Sequence, residues 1–156
     1  MNATETAVHS QRKPQTAGAV LSSHEKDVLQ SATARILPSE EGPGAAEARV
    51  TDYILNALED PRLHGFLPLL RRGLEFLDYL AQESLTSDFA KCSSEDQDRI
   101  LHQAQIFPNN DSRRFFDTLV ELTLEGFLCD PSRGGNANQV GWLHIEYQLQ
   151  QPPECG

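Results

Sequence analysis

Apolar residues recur at intervals of three and four along most of the chain, the spacing that places side chains on one face of an α-helix. Between these stretches lie prolines, glycines and capping residues, which end or begin helices. No two stretches alternate as paired strands do, so the pattern predicts an all-α fold, a compact bundle of about five helices. The helices are expected from Ser22 to the residue before Pro38, over about 45–58 and 65–86, from Ser93–Ser94 to the break at 106–110, and from Asp111 or Ser112 to Asp130–Pro131.

Two of these predicted helices begin with the spacing of a capping box. Ser22 and Glu25 have this spacing in the first helix, and Ser94 and Gln97 have it in the fourth. The third helix, at about 65–86, carries the widest apolar stripe, so we expect it at the centre of the bundle.

The fifth helix is predicted to end at an Asp–Pro pair, and a glycine turn follows it. Asp130–Pro131 ends the helix, because proline has no N–H for the helical ladder and restricts the residue before it. Gly134, Gly135 and Asn136 suit positive φ angles and close backbone approach. Because these glycines follow a helix end instead of opening a helix, we expect a structural turn and not a phosphate-binding loop.

The residues from the fifth helix to the tryptophan resemble a family motif, DPxxGGN followed by GW. This set is similar to the gluconate 2-dehydrogenase subunit 3 family, the small non-catalytic subunits of bacterial flavin-dependent sugar and sugar-acid dehydrogenases. An aromatic residue commonly precedes the two glycines in that family, and Arg133 stands there in this chain. The likeness covers residues 21–145 and is carried by Phe115, Phe116, Leu119, Thr123, Gly126, Phe127, Asp130, Pro131, Gly134, Gly135, Asn136, Gly141 and Trp142, with Ile36, Pro38, Pro43, Gly44, Ala45, Glu47, Ala48 and Val50 upstream.

The resemblance implies an accessory role. The catalytic partner would be an FAD-dependent dehydrogenase of the glucose–methanol–choline type, which oxidises a hydroxyl of a sugar, glycoside or sugar acid and passes electrons to a cytochrome c subunit or another acceptor. The small subunit would assist the folding, stability or export of that partner. Two alternatives stay open: a free-standing helical protein-binding module without a dehydrogenase partner, and a cofactor-free enzyme that uses Glu125 and a nearby histidine.

One face is the candidate for contact with the flavoprotein. Its aromatic residues either pack in the core or dock the larger subunit, since aromatic residues concentrate in interface cores. We expect Arg133→Glu and Asn136→Ala to leave the stability of the free chain little changed and to lower the yield of active flavoprotein. The candidate partner-binding residues are Glu125, Phe127, Asp130, Arg133, Gly134, Gly135, Asn136 and Trp142.

Composition and the absence of known motifs argue against several classes of function and partner. The net charge is −10 over 156 residues, which argues against nucleic-acid partners and anionic membranes, since both need clustered Lys and Arg. No apolar run reaches the roughly eighteen residues of a membrane span. The three cysteines form no C-x-x-C pair, and no two of the five histidines share a helical face. P-loop and Rossmann glycine patterns are absent, so we predict no catalytic, cofactor-binding or metal-binding residue in this chain.

The ends of the chain are expected to lie outside the bundle. Residues 1–20 are polar and predict a flexible N-terminal arm, residues 21–150 the helical domain, and residues 151–156 a disordered tail. The stretch LHIEYQLQ after Trp142 alternates weakly, which favours a short strand or an extended tail. The N-terminus has no apolar core for a secretory signal, so we expect cytoplasmic residence, or a periplasmic location if a partner carries the chain out.

Overall fold

The computed structural model describes residues 20–145, which form six α-helices joined by short loops and 3-10 turns. No β-strand occurs in this range, so the all-α prediction is confirmed. None of its helices is long and apolar enough to cross a membrane. The helices are α1 (Ser23–Ile36), α2 (Val50–Ala57), α3 (Leu67–Leu85), α4 (Ser94–Ile106), α5 (Asn110–Leu128) and α6 (Val140–His144).

Helix α5 is the central element of the bundle. It packs against α1, α2, α3, α4 and α6, whereas the main helix contacts of α3 are with α1, α4 and α5. The prediction that the third helix lies at the centre is therefore wrong. The apolar stripe of α3 is widened in the sequence by Leu67, Leu69 and Phe76, but Leu67 and Phe76 are only partly buried in the structure. Gly73 lets α3 approach α5 closely, because a Cβ there would overlap the ring of Phe115.

Among the starts of α1, α4 and α5, the first agrees with the sequence and the other two correct it. The capping box of α1 is confirmed, with Ser22 accepting from Glu25 and Glu25 accepting from Ser22. Helix α4 is capped by Ser93, which accepts from the Asp96 N–H at 3.2 Å, and Ser94 is already helical. Helix α5 is capped by Asn109, whose side chain accepts from the N–H of residue 111.

Helix α2 begins five residues later than the sequence predicts. Residues 45–49 form turns, and Arg49 has a left-handed conformation with φ of 55°, which interrupts any helix that would start upstream. Ala45 and Ala48 are nevertheless buried, so their apolar spacing reports a packed turn and not a helical turn.

The predicted strand or extended stretch after Trp142 is wrong where the structure tests it. Trp142, Leu143 and His144 lie in α6. Residues 146–156 and the predicted arm, apart from Val20, lie outside the described residues. The backbone carbonyl of Val20 accepts a hydrogen bond from Arg71 on α3 at 2.6 Å.

A histidine–carboxylate pair joins α1 to α3. His24 Nε2 lies 2.5 Å from Asp78 Oδ2, and Asp78 Oδ1 accepts from the backbone N–H of the buried Phe89 at 2.9 Å. The hydrogen bond that His24 donates to Asp78 raises the pKa of His24 above its usual 6.5, and the negative charge of Asp78 raises it further, with smaller contributions from Asp88 and Asp27. A raised folded-state pKa gives stability that is complete below the unfolded pKa and is lost as the pH rises through the folded pKa.

His24→Gln should therefore cost more stability at about pH 5.5 than at about pH 8.5. The difference should stay below about 1 kcal/mol, because the His24 side chain is largely exposed and the pair is screened by solvent. Urea unfolding of both proteins at the two pH values measures it. An equal cost at both values would show that protonated His24 contributes nothing.

Candidate functional site

The loop after α5 is built by local caps. The Asp130 side chain accepts from the Ser132 N–H at 2.9 Å and starts the 3-10 turn Pro131–Arg133. This hydrogen bond lowers the pKa of Asp130. Gly134 ends the turn with φ of 98°, which confirms the prediction of a positive φ there.

Gly135 is constrained by space and not by its φ angle. Its φ lies outside the left-handed region, contrary to the sequence-based expectation, but a Cβ would overlap the carbonyl oxygen of Gly126 on α5. A Cβ at Gly141 would likewise overlap the carbonyl oxygen of Phe127. The two glycines let the loop and α6 lie directly on the backbone of α5.

Asn136 holds this loop against α5 through hydrogen bonds. It is completely buried, and its backbone N–H donates to the Gly126 carbonyl at 2.7 Å. Its side-chain Nδ2 donates to the Cys129 carbonyl at 2.9 Å, and its Oδ1 accepts from the Gly141 N–H at 2.8 Å. One side chain therefore ties the end of α5 to the start of α6.

The glycine turn does not fit a dinucleotide phosphate. A phosphate cradle needs free backbone N–H groups that converge on an anion. Here the Gly134 N–H donates to the Pro131 carbonyl at 3.1 Å, and the Asn136 N–H is bonded to Gly126. These two N–H groups are bonded within the protein, as in a structural turn, so FAD is not expected to bind to this loop.

The candidate partner-binding residues divide into a buried group and an exposed group. Phe127, Gly135 and Asn136 are buried, so they shape the surface from beneath. The sequence-based expectation that Asn136→Ala is mild does not fit its burial. The exposed members are Glu125, Asp130 and Arg133, and Gly134 is partly buried.

The only tryptophan packs on the end of α5. Trp142 is partly buried, and its indole Nε1 donates to the Leu128 carbonyl at 2.8 Å. The Phe127 ring faces the His144 ring edge-on at 6.1 Å between centroids. Phe127 therefore packs in the core, whereas Trp142 is only partly buried.

An open groove lies beside the loop, between α2 and the end of α5. Leu124 and Leu128 are 45% and 40% exposed on its wall, which is a large apolar exposure for two neighbouring positions of one helix. Sequence analysis missed both, although Val120, Leu124 and Leu128 form a second apolar row at spacing four. We call this surface the C-terminal groove; it is lined by Tyr53, Leu124, Glu125, Leu128, Cys129 and Arg133.

In the C-terminal groove, Arg133 lies over an aromatic ring. The Arg133 guanidinium lies 5.8 Å from the centroid of Tyr53, a cation–π geometry. The Tyr53 hydroxyl donates to Glu125 Oε2 at 3.0 Å. Burial raises the pKa of Tyr53, and its hydrogen bond to the Glu125 carboxylate raises it further.

The two described cysteines, Cys92 and Cys129, are free thiols, and Cys155 lies outside the described residues. Burial raises the pKa of the Cys129 thiol, which favours its protonated form. Within residues 20–145 no group of three His, Cys, Asp or Glu side chains is placed to hold a metal ion.

A second apolar surface lies where α3 meets the end of α4, close to the start of α5. The Phe76 ring contacts Tyr79 at 6.3 Å and Phe107 at 4.9 Å between centroids. Tyr79, Ile106 and Phe107 are exposed. We call this surface, formed by Phe76, Tyr79, Ile106 and Phe107, the aromatic patch.

The comparison with family models decides what kind of protein this is. The model described as gluconate 2-dehydrogenase subunit 3 matches residues 23–148, which is most of the chain. The chain belongs to this family. No curated protein and no solved structure matches the chain.

Membership in the gluconate 2-dehydrogenase subunit 3 family indicates an accessory subunit of a dehydrogenase complex. The motif residues Asp130, Gly134, Gly135, Asn136 and Gly141 build the loop that covers the end of α5. The motif therefore specifies the backbone around the C-terminal groove, whereas Leu124, Leu128 and Arg133 supply its exposed side chains and the buried Tyr53 forms its floor.

Proposed function

We propose that the chain is the accessory subunit of an FAD-dependent dehydrogenase of the glucose–methanol–choline type. The catalytic partner would oxidise a hydroxyl of a sugar, glycoside or sugar acid and pass electrons to a cytochrome c subunit or another acceptor. FAD would lie in that partner. The observation that carries the proposal is the family match over residues 23–148.

The chain contributes a binding surface to this hetero-oligomer. The face from Glu125 to Trp142 contacts the flavoprotein, with a rigid loop beneath and the C-terminal groove beside it. A subunit that binds only the folded flavoprotein stabilises it by mass action, which is a chaperone-like effect that needs no reactive group. The complex is either retained in the cytoplasm or exported as a unit, and fractionation of cells with and without the flavoprotein gene separates these two cases.

Co-expression tests the proposal. The flavoprotein should accumulate as active, FAD-containing enzyme in several-fold higher yield with the chain than without it. A chain carrying Phe115→Asp is the control, because a charge at this fully buried position should unfold the subunit. The isolated chain should be colourless and should not oxidise sugars with an artificial electron acceptor. Stoichiometric flavin in the isolated chain, or an equal yield in all three cultures, would refute the proposal.

A further inference from the structure

Arg133 stands out among the described cations of this acidic chain. Most others form ion pairs within 4 Å, among them Arg35 with Asp98 and Arg71 with Glu25. Within residues 20–145 Arg133 has no carboxylate at that distance, and its guanidinium lies over the Tyr53 ring. An arginine stacked on an aromatic ring is positioned in advance for a bidentate contact with a carboxylate.

Two acidic side chains near Arg133 are oriented by hydrogen bonds to other groups and form no ion pair with Arg133. Glu125 accepts from the Tyr53 hydroxyl, and Asp130 accepts from the Ser132 N–H. Arg133 is the cation among the residues that line the C-terminal groove, and no carboxylate of the described residues lies within 4 Å of its guanidinium. Beside it, Leu124 and Leu128 present apolar surface one helical turn apart.

We infer that the C-terminal groove binds a segment of the flavoprotein subunit that carries a carboxylate next to a large apolar side chain. The carboxylate pairs with Arg133, and the apolar side chain covers Leu124 and Leu128. Arginine is among the residue types that dominate binding energy in interfaces, and here it stands beside the exposed apolar side chains of Leu124 and Leu128. This inference rests on the proposed function and adds the chemistry that the partner must present.

Two features favour this occupant over the alternatives. A second copy of the chain would bring another net charge of −10 to the contact, which opposes self-association. The aromatic patch offers no comparable charge, because Arg72 beside it lies 3.4 Å from Asp111 and is already paired.

Binding constants of the purified chain for the co-purifying flavoprotein subunit test the inference. Arg133→Glu should weaken binding by about thirtyfold, as expected for an interfacial hot spot, and Leu128→Ser by about tenfold. Arg114→Glu is the charge control, because Arg114 is also exposed and also lacks a carboxylate within 4 Å among the described residues. Ile106→Ser is the apolar control on the aromatic patch. Both controls should bind within about twofold of the unmodified chain.

Each contrary result has a distinct meaning. If the unmodified chain binds the flavoprotein and Arg133→Glu binds equally well, the inference fails and the proposed function stands. If Ile106→Ser weakens binding instead, the aromatic patch is the interface and the inference is overturned. A dimer of the isolated chain that Leu128→Ser converts to monomers would assign the groove to a second copy. If the unmodified chain binds no flavoprotein, both the inference and the proposed function fall.

Discussion

Asn136→Ala is expected to lower the free energy of unfolding by about 3 kcal/mol or more. The substitution leaves the Cys129 carbonyl and the Gly141 N–H without the side-chain partners that now satisfy them in a buried place. Each unsatisfied buried group costs about 1–3 kcal/mol. Asn136 also has a positive φ of 44°, a conformation that alanine adopts less readily than asparagine does.

Asn138→Ala separates the two causes. Asn138 also has a positive φ, of 55°, but its side chain is exposed and forms no described hydrogen bond. It should therefore show the backbone cost alone, about 1 kcal/mol. Urea unfolding of the two variants gives the comparison, and equal losses of stability would mean that the side-chain bonds of Asn136 contribute nothing.

Gly135→Val is the second large effect, with an expected loss of about 3 kcal/mol or more, or failure to fold. The new Cβ would overlap the Gly126 carbonyl oxygen, which is also the acceptor for the Asn136 N–H. Any shift that relieves the overlap therefore lengthens that hydrogen bond and lifts the loop from α5.

Gly65→Val is the matched control, because a Cβ at Gly65 meets nothing within 4 Å. Its melting temperature should stay close to that of the unmodified protein, whereas that of Gly135→Val should fall steeply. Equal melting temperatures for the two variants would contradict the close packing of the loop on α5.

The sequence predicts the bundle well because spacing and caps are local signals. Ser22 and Glu25 cap α1 as their spacing requires, and Pro131 follows the end of α5. The sequence does not fix the start of α5, because Asn109, Asn110, Asp111 and Ser112 are all good caps, and the structure shows that Asn109 is the one that caps the helix. The start of α2 was misplaced because residues 45–48 are good helix formers, and tertiary packing overrides this preference at Arg49.

The sequence predicts the loop that borders the candidate site, but it does not predict which side chains are exposed there. The motif pointed to the loop, but a short motif does not tell whether Asn136 faces solvent or the backbone of α5. Leu124 and Leu128 were within reach of sequence analysis as a second row on α5. The contact of Arg133 with Tyr53 was not, because these residues are far apart in sequence and meet only when α2 packs on α5.

Co-purification tests the central claim most directly. The untagged chain is expressed with a tagged flavoprotein dehydrogenase from the same source, and the affinity-purified material is passed through a sizing column. The account predicts that the chain, FAD absorbance and sugar dehydrogenase activity elute together at a fixed ratio of chain to flavin. A flavoprotein that elutes active and free of the chain at every concentration tested would contradict it.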